Sequence, residues 1–231
     1  MSKAAKKAAP KARVADRCAE GDVRPLGSET KSYAAVVVEQ ATAYRAVGVG
    51  PMSAFGPRNR NGVPTVFGVL AERVDEACRA EWYHVQLPLR PNGVTGWVAA
   101  DEVALAAVTT RIEVDLSGRR VTLFDRGRRI LTAEAAIGSA QTPTPTGRYY
   151  VNQRLVPADP SGPFGPGAIG ISAFSDVLTG WTQGGPIAIH GTNRPELIGG
   201  AVSNGCIRVR NAELRQLFDR VRAGTPVVVH A

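Results

Sequence analysis

Hydrophobic positions in this chain recur mostly at the short spacing of strands, and a single segment carries the spacing of a helix. Between residue 33 and about residue 107, apolar runs are short and split by Gly and Pro. Residues 36–38, 65–67 and 82–87 read as strands, Pro91, Asn92 and Gly93 as a turn, and residues 96–98 as the strand resumed after it. Residues 111–116 alternate apolar and polar, Ser117 and Gly118 offer a two-residue turn, and residues 120–124 follow as its return strand. Arg126 and Gly127 mark another turn before a strand over 129–137. Residues 147–151, 186–190 and 226–229 read as later strands. The helical spacing falls over 212–223, where Leu214, Leu217, Phe218 and Val221 stand at i, i+3, i+4 and i+7. Asn211 suits the N-cap of that helix, Glu213 its first turn and Gly224 its C′ position. Residues 151–185, rich in Pro and Gly, read as a long loop of the kind that serves as a lid. The pattern predicts a mainly β chain in two units.

The first 31 residues stand apart. They are rich in Ala, Lys, Ser and Gly without apolar periodicity, and are expected to form a flexible basic tail. Units are therefore expected at 1–31, 32–107 and 108–231. In the second of these, Trp82-Tyr-His-Val85 followed by Gly96-Trp-Val98 resembles the last strands of bacterial Src-homology-three-like domains. There a "W-x-x-V" strand and a "G-W-V" strand form a hairpin. The resemblance implies a small β-barrel module that binds peptides or cell-wall fragments, or packs beside a catalytic domain.

Composition narrows the partners. The chain has 231 residues, 28 Lys+Arg against 20 Asp+Glu, and a formal net charge of +8. The tail carries +4, residues 32–110 carry −1 and the remainder +5, and all lysines lie in the tail. A basic chain can favour nucleic acid, an anionic membrane or an anionic polymer. No stripe of basic and aromatic residues points to nucleic acid, and no apolar run approaches the roughly 20 residues of a membrane span. No apolar segment follows the first lysines, so no secretory signal is read in the sequence as it stands. Cys18, Cys78 and Cys206 have no CxxC spacing, which disfavours a zinc knuckle or a thioredoxin-like motif. Cys18 and Cys78 either pair in an oxidising compartment or remain separate.

The chemistry concentrates between residues 190 and 208. His190 closes a strand, and Cys206 follows after a Gly-rich segment in which a short helical turn near residues 195–198 would return the chain. A thiol attacks as its thiolate, and a nearby imidazole can take the proton. Gly205 lets the backbone bend, so that the Cys206 amide and a neighbouring one could face an oxyanion. Arg208, two residues on, could hold a substrate carboxylate. Either residue alone would more often be structural. His84 and His230 read as structural or solvent-facing, Trp82 and Trp97 as barrel core or surface platform, and Trp181 as a groove flank or simple packing.

The frame H-G-T-N-x(9)-S-x-G-C-I-R, with Thr144-Pro-Thr-Gly147 before an aromatic strand and Gly224-Thr-Pro-Val227 near the end, resembles the YkuD-like L,D-transpeptidase catalytic domain over about 120 residues. The resemblance implies a β-sandwich-like catalytic domain with one main helix behind the small barrel. It implies Cys206 as nucleophile, His190 as base, the Gly191 carbonyl as orienter of the ring and Gly205 in the oxyanion region. Ser203, Asn204 and Arg208 are implied substrate contacts. Most members carry His at the position of Asn204, which cannot titrate near neutral pH. The implied reaction transfers a peptidoglycan tetrapeptide stem to an acceptor amine with release of D-Ala, needs no metal or cofactor, and is blocked by carbapenems acylating Cys206. The alternatives are L,D-carboxypeptidation, with water as acceptor, or a catalytically silent wall-binding protein. The implied location is extracytoplasmic, and a monomer is expected.

Overall fold

The computed structural model describes residues 18–231. Eight strands build the first sheet: β1 (Asp22–Pro25), β2 (Ser32–Val37), β3 (Ala41–Ala46), β4 (Val49–Phe55), β5 (Val66–Val74), β6 (Ala80–Gln86), β7 (Thr95–Ala99) and β8 (Val103–Val108). They run β4-β3-β7-β6-β5-β2-β8, and β1 pairs with β5 beyond the end of β2. β6 and β7 form the hairpin expected around the turn at Asn92, with Trp82 opposite Ala99 and His84 opposite Trp97. His84 stacks on Trp97 and bonds Thr95 Oγ1 at 3.0 Å, so it is part of the hairpin's packing.

The second sheet holds β9 (Thr110–Asp115), β10 (Arg120–Asp125), β11 (Arg128–Gly138), β12 (Gly147–Leu155), β13 (Ala168–Phe174), β14 (Pro186–His190), β15 (Ala201–Ser203), β16 (Ile207–Val209) and β17 (Pro226–His230). The order is β10-β9-β17-β12-β13-β14-β16-β11, with β15 beside β11. Because β10 also pairs with β11, this sheet closes on itself. The one α-helix among the described residues, α1 (Asn211–Arg220), places Leu214 and Leu217 in the core with Ile112, Leu123, Ile169, Ile189 and Ile207, all at 0% exposure. Each such side chain contributes about 1.5–3 kcal/mol by leaving water. The mainly β, one-helix architecture thus follows the sequence pattern.

Three local expectations give way. Residues 18–31 are not a tail: Asp22–Pro25 pairs with Ala71–Val74, and Cys18 is joined to Cys78. A short, half-exposed edge strand has no periodicity to read, because its partner lies some fifty residues away. Residues 1–17, the rest of the expected tail, lie outside the described residues. The long loop over 151–185 contains β13, six of whose seven residues are buried. A strand covered on both faces does not alternate, and Gly170 disguised it as loop. The helix ends at Arg220, because Val221 is already extended (φ −78°, ψ 137°), and its N-cap is Arg210. Gly224 (φ +90°) lies four residues past that end, where a Cβ would sit 2.3 Å from Ala34 Cβ. Close contact between the two units, not a helix cap, requires glycine there. Tyr150, 1% exposed, packs on Gly68 across the same boundary.

Candidate active site

The parallel pairing of β14 with β16 builds the site. It sets Ile189 beside Ile207 and His190 beside Arg208. Parallel neighbours need a crossover, and residues 191–206 supply it through the turn at Pro195–Leu197 and β15. Cys206 therefore enters directly before β16 and lies along β14. Its Sγ is 3.9 Å from the Pro186 carbonyl oxygen and is also engaged by the Ala188 backbone, one strand repeat before His190. Cys206 is only partly buried.

His190 is 4% exposed, and its Nδ1 lies 2.6 Å from the Gly191 carbonyl oxygen. A carbonyl only accepts, so Nδ1 carries the hydrogen and the neutral ring keeps Nε2 free as a base. Burial lowers the imidazole from its ordinary 6.5 to about 4; the Arg208 charge acts in the same direction and the Gly191 bond against it. Burial likewise pushes the Cys206 thiol up, opposed by the Ala188 amide and by Arg208. Both shifts favour the uncharged forms, a thiol beside a neutral imidazole, over an ion pair.

The loop carrying Cys206 is tied from within. Ser203 Oγ donates to the Cys206 carbonyl at 2.5 Å and accepts the Gly205 amide at 3.1 Å. Thr144 Oγ1 donates to the Gly205 carbonyl at 2.9 Å and accepts the Gly138 amide at 2.9 Å. Gly205 has φ +106°, and a Cβ there would stand 2.9 Å from Ile187 Cδ1. Ser203 is 1% exposed with its hydroxyl committed to the loop that carries Cys206. The Gly205 amide is already bonded to Ser203, which leaves the Cys206 amide as the donor to consider for an oxyanion. Asn204 is exposed beside them. Arg208 takes part in none of the ion pairs among the described residues, and its Nε is buried without a partner. A cation so placed suits an anionic group on a substrate.

Two contributors escaped the sequence reading. Phe164, 47% exposed, sets its ring edge-on to His190 with centroids 4.9 Å apart. Asn211 Oδ1 accepts the Thr192 amide at 2.8 Å. A Cβ at Gly165 or Gly191 would fall 2.3 Å from that same oxygen. Asn211 thus clamps both the loop bearing the Gly191 carbonyl and the loop bearing Phe164. An Asn opening a helix reads as a cap, so only the tertiary contact reveals this use. Trp181 is 54% exposed, and His230 is exposed at the last strand's end.

The closed β domain thus brings a cysteine at the entrance of β16 beside the adjacent parallel strand that ends in a carbonyl-oriented histidine. A family model described as YkuD, the L,D-transpeptidase catalytic domain, matches residues 109–229, and the chain belongs to that family. It is 39% identical over 119 residues to YkuD of Bacillus licheniformis, covering 52% of this chain and 64% of the relative. It is 37% identical over 119 residues to YkuD of Bacillus subtilis, with 52% and 65% covered. The chain therefore spans just under two thirds of the length of these relatives. Among solved structures it is similar to an L,D-transpeptidase of Enterococcus faecium, with 27% identity, a TM-score of 0.42, and 52% of this chain and 49% of that one covered.

Proposed function

We propose that the chain is a peptidoglycan L,D-transpeptidase acting through Cys206. The observation that carries this reading is the His190–Gly191 bond at 2.6 Å on the strand along which the Cys206 thiol lies. A ring held with Nε2 bare is a base ready for a thiol. Membership of the L,D-transpeptidase catalytic-domain family supplies the substrate class.

Cys206 gives its proton to His190 Nε2 as sulfur attacks the carbonyl between the diamino acid and the terminal D-Ala of a donor stem. The developing oxyanion faces the Cys206 amide, and Arg208 holds a stem carboxylate. The C–N bond breaks, D-Ala leaves with the proton from His190, and a thioester remains. An acceptor side-chain amine then attacks the thioester and gives its proton to His190. The expelled thiolate recovers that proton. Water in place of the amine gives carboxypeptidation.

The domain at 108–231 is assigned this chemistry; the break between Val108 and Thr110 supports the boundary. Residues 32–107 are assigned as a Src-homology-three-like module, supported by the β6–β7 hairpin. The Cys18–Cys78 disulfide supports an extracytoplasmic, oxidising location. The test incubates the protein with a tetrapeptide donor and an amine acceptor and weighs both protein and products. Release of D-Ala with a thioester mass absent in Cys206→Ala is expected. A folded wild type that forms no acyl-enzyme would overturn the assignment.

A further inference from the structure

A cavity of about 570 Å³ opens between the two units. One side comes from β4 and the loop at 56–61, the other from β12, the end of β13 and Pro186. Three arginines line it, Arg58, Arg60 and Arg90, and no Asp or Glu does. Arg90 is spent on the carbonyls of Ser175 (2.7 Å) and Gly184 (2.5 Å). Arg58 holds the Gly62 carbonyl through one nitrogen at 2.6 Å. Arg60 is exposed and forms none of the ion pairs among the described residues. The cavity is therefore a cationic recess with donors left to offer.

Its amides are fixed in place. Gln153 Oε1 accepts from Asn59 at 3.1 Å and Asn61 at 2.8 Å, and Asn61 and Gln183 bond each other. These bonds cross the boundary between the units and set the recess's width. Asn152 also lines the cavity, and its Oδ1 is closed to water and without a partner. Carboxamides held this way match a ligand rich in amides and hydroxyls. Pro186 also walls the recess, and its carbonyl is the one 3.9 Å from Cys206 Sγ. The recess thus borders the first residue of the strand that ends in His190.

We propose that this inter-unit cleft binds an acidic, amide-rich saccharide–peptide strand, the polymer beyond the stem that reacts at Cys206. Arg60 and Arg58 take its carboxylates, and the Asn and Gln side chains take its amides and hydroxyls. The site makes the enzyme prefer polymeric over isolated stems. This rests on the proposed function for the identity of the polymer.

The test compares wild type, Arg60→Glu and Arg60→Lys as full chains. Each is assayed with isolated tetrapeptide stems and with uncross-linked glycan–peptide strands, and binding to strands is measured by co-sedimentation using Cys206→Ala and its double variants. Arg60→Glu should turn over isolated stems at the wild-type rate. Its KM and dissociation constant for strands should rise about tenfold, roughly the loss of one attractive contact and the gain of a repulsive one. Arg60→Lys should recover most of the binding. Polyglutamate serves as the control, and Arg60→Glu should change its far weaker binding little. Equal strand binding by wild type and Arg60→Glu would overturn the proposal, as would equally tight, equally Arg60-dependent binding of polyglutamate. If wild type turned over neither substrate yet bound strands through Arg60, the transpeptidase reading would fail and the cleft would stand.

Discussion

Protonating His190 in the folded protein places a charge where water barely reaches. Its pKa falls from an ordinary 6.5 to about 4, burial being the largest cause. Between those values the unfolded chain binds the proton and the folded chain does not, so stability rises with pH across the window. The contribution is fully present above about pH 6.5, declines as pH falls toward 4 and levels off below. A shift of this size corresponds to about 3 kcal/mol over the whole window. At 4% exposure little solvent screening reduces it. Urea unfolding of wild type and His190→Gln from pH 4 to 8 measures it directly. The stability difference should be flat near pH 7–8 and shift against wild type by about 3 kcal/mol by pH 4. Proton NMR of the imidazole Cε1–H, assigned by its loss in the variant, should show a midpoint near 4. A midpoint near 6.5, or a stability difference independent of pH, would refute the neutral resting pair.

Other consequences follow from the same geometry. Alkylation of Cys206 by iodoacetamide should keep rising with pH beyond the usual thiol range near 8.5, since its burial disfavours the thiolate; a rate plateau below pH 7 would contradict this. Asn211→Ala should leave the Thr192 amide without its acceptor, costing about 1–3 kcal/mol in urea unfolding and slowing thioester formation. Asn211→Asp keeps the acceptor and should restore both; equal loss in the two variants would argue against the clamp. Gly205→Ala forces a Cβ onto φ +106° and against Ile187, so a drop of about 1–3 kcal/mol in thermal unfolding is expected, with weaker acylation. Replacing Cys18 and Cys78 together by Ser opens a link spanning 60 residues and should cost up to about 4 kcal/mol. Acylation per folded molecule should stay unchanged, and a large loss would show coupling between that edge and the site.

Much of the molecule was legible before any coordinates. Alternation over residues 111–116 and 120–124 marks β9 and β10, because strands with one wet face display their period. The stripe from Leu214 to Val221 marks α1, although the chain is already extended at Val221, the stripe's last residue. The spacing of His190 and Cys206 singled out the candidate pair that the fold sets on neighbouring segments, since few other demands place Gly, Cys and Arg together after a strand-terminal His. Strand β13 was hidden because burial on both faces erases alternation, and β1 because an edge strand this short owes its existence to its partner.

What the sequence determined by itself is therefore local: which residues carry reactive groups, and where a period of two or of 3.6 persists. Tertiary structure decided everything that depends on pairs far apart in the chain. The closing β10–β11 contact, the parallel register that brings His190 to Arg208, and the tie from Asn211 to Thr192 are all of this kind. So are the proton states of Cys206 and His190, because a pKa is set by burial and by neighbouring charges. The same type of side chain can cap a helix or clamp a catalytic loop, and only the completed packing selects between them.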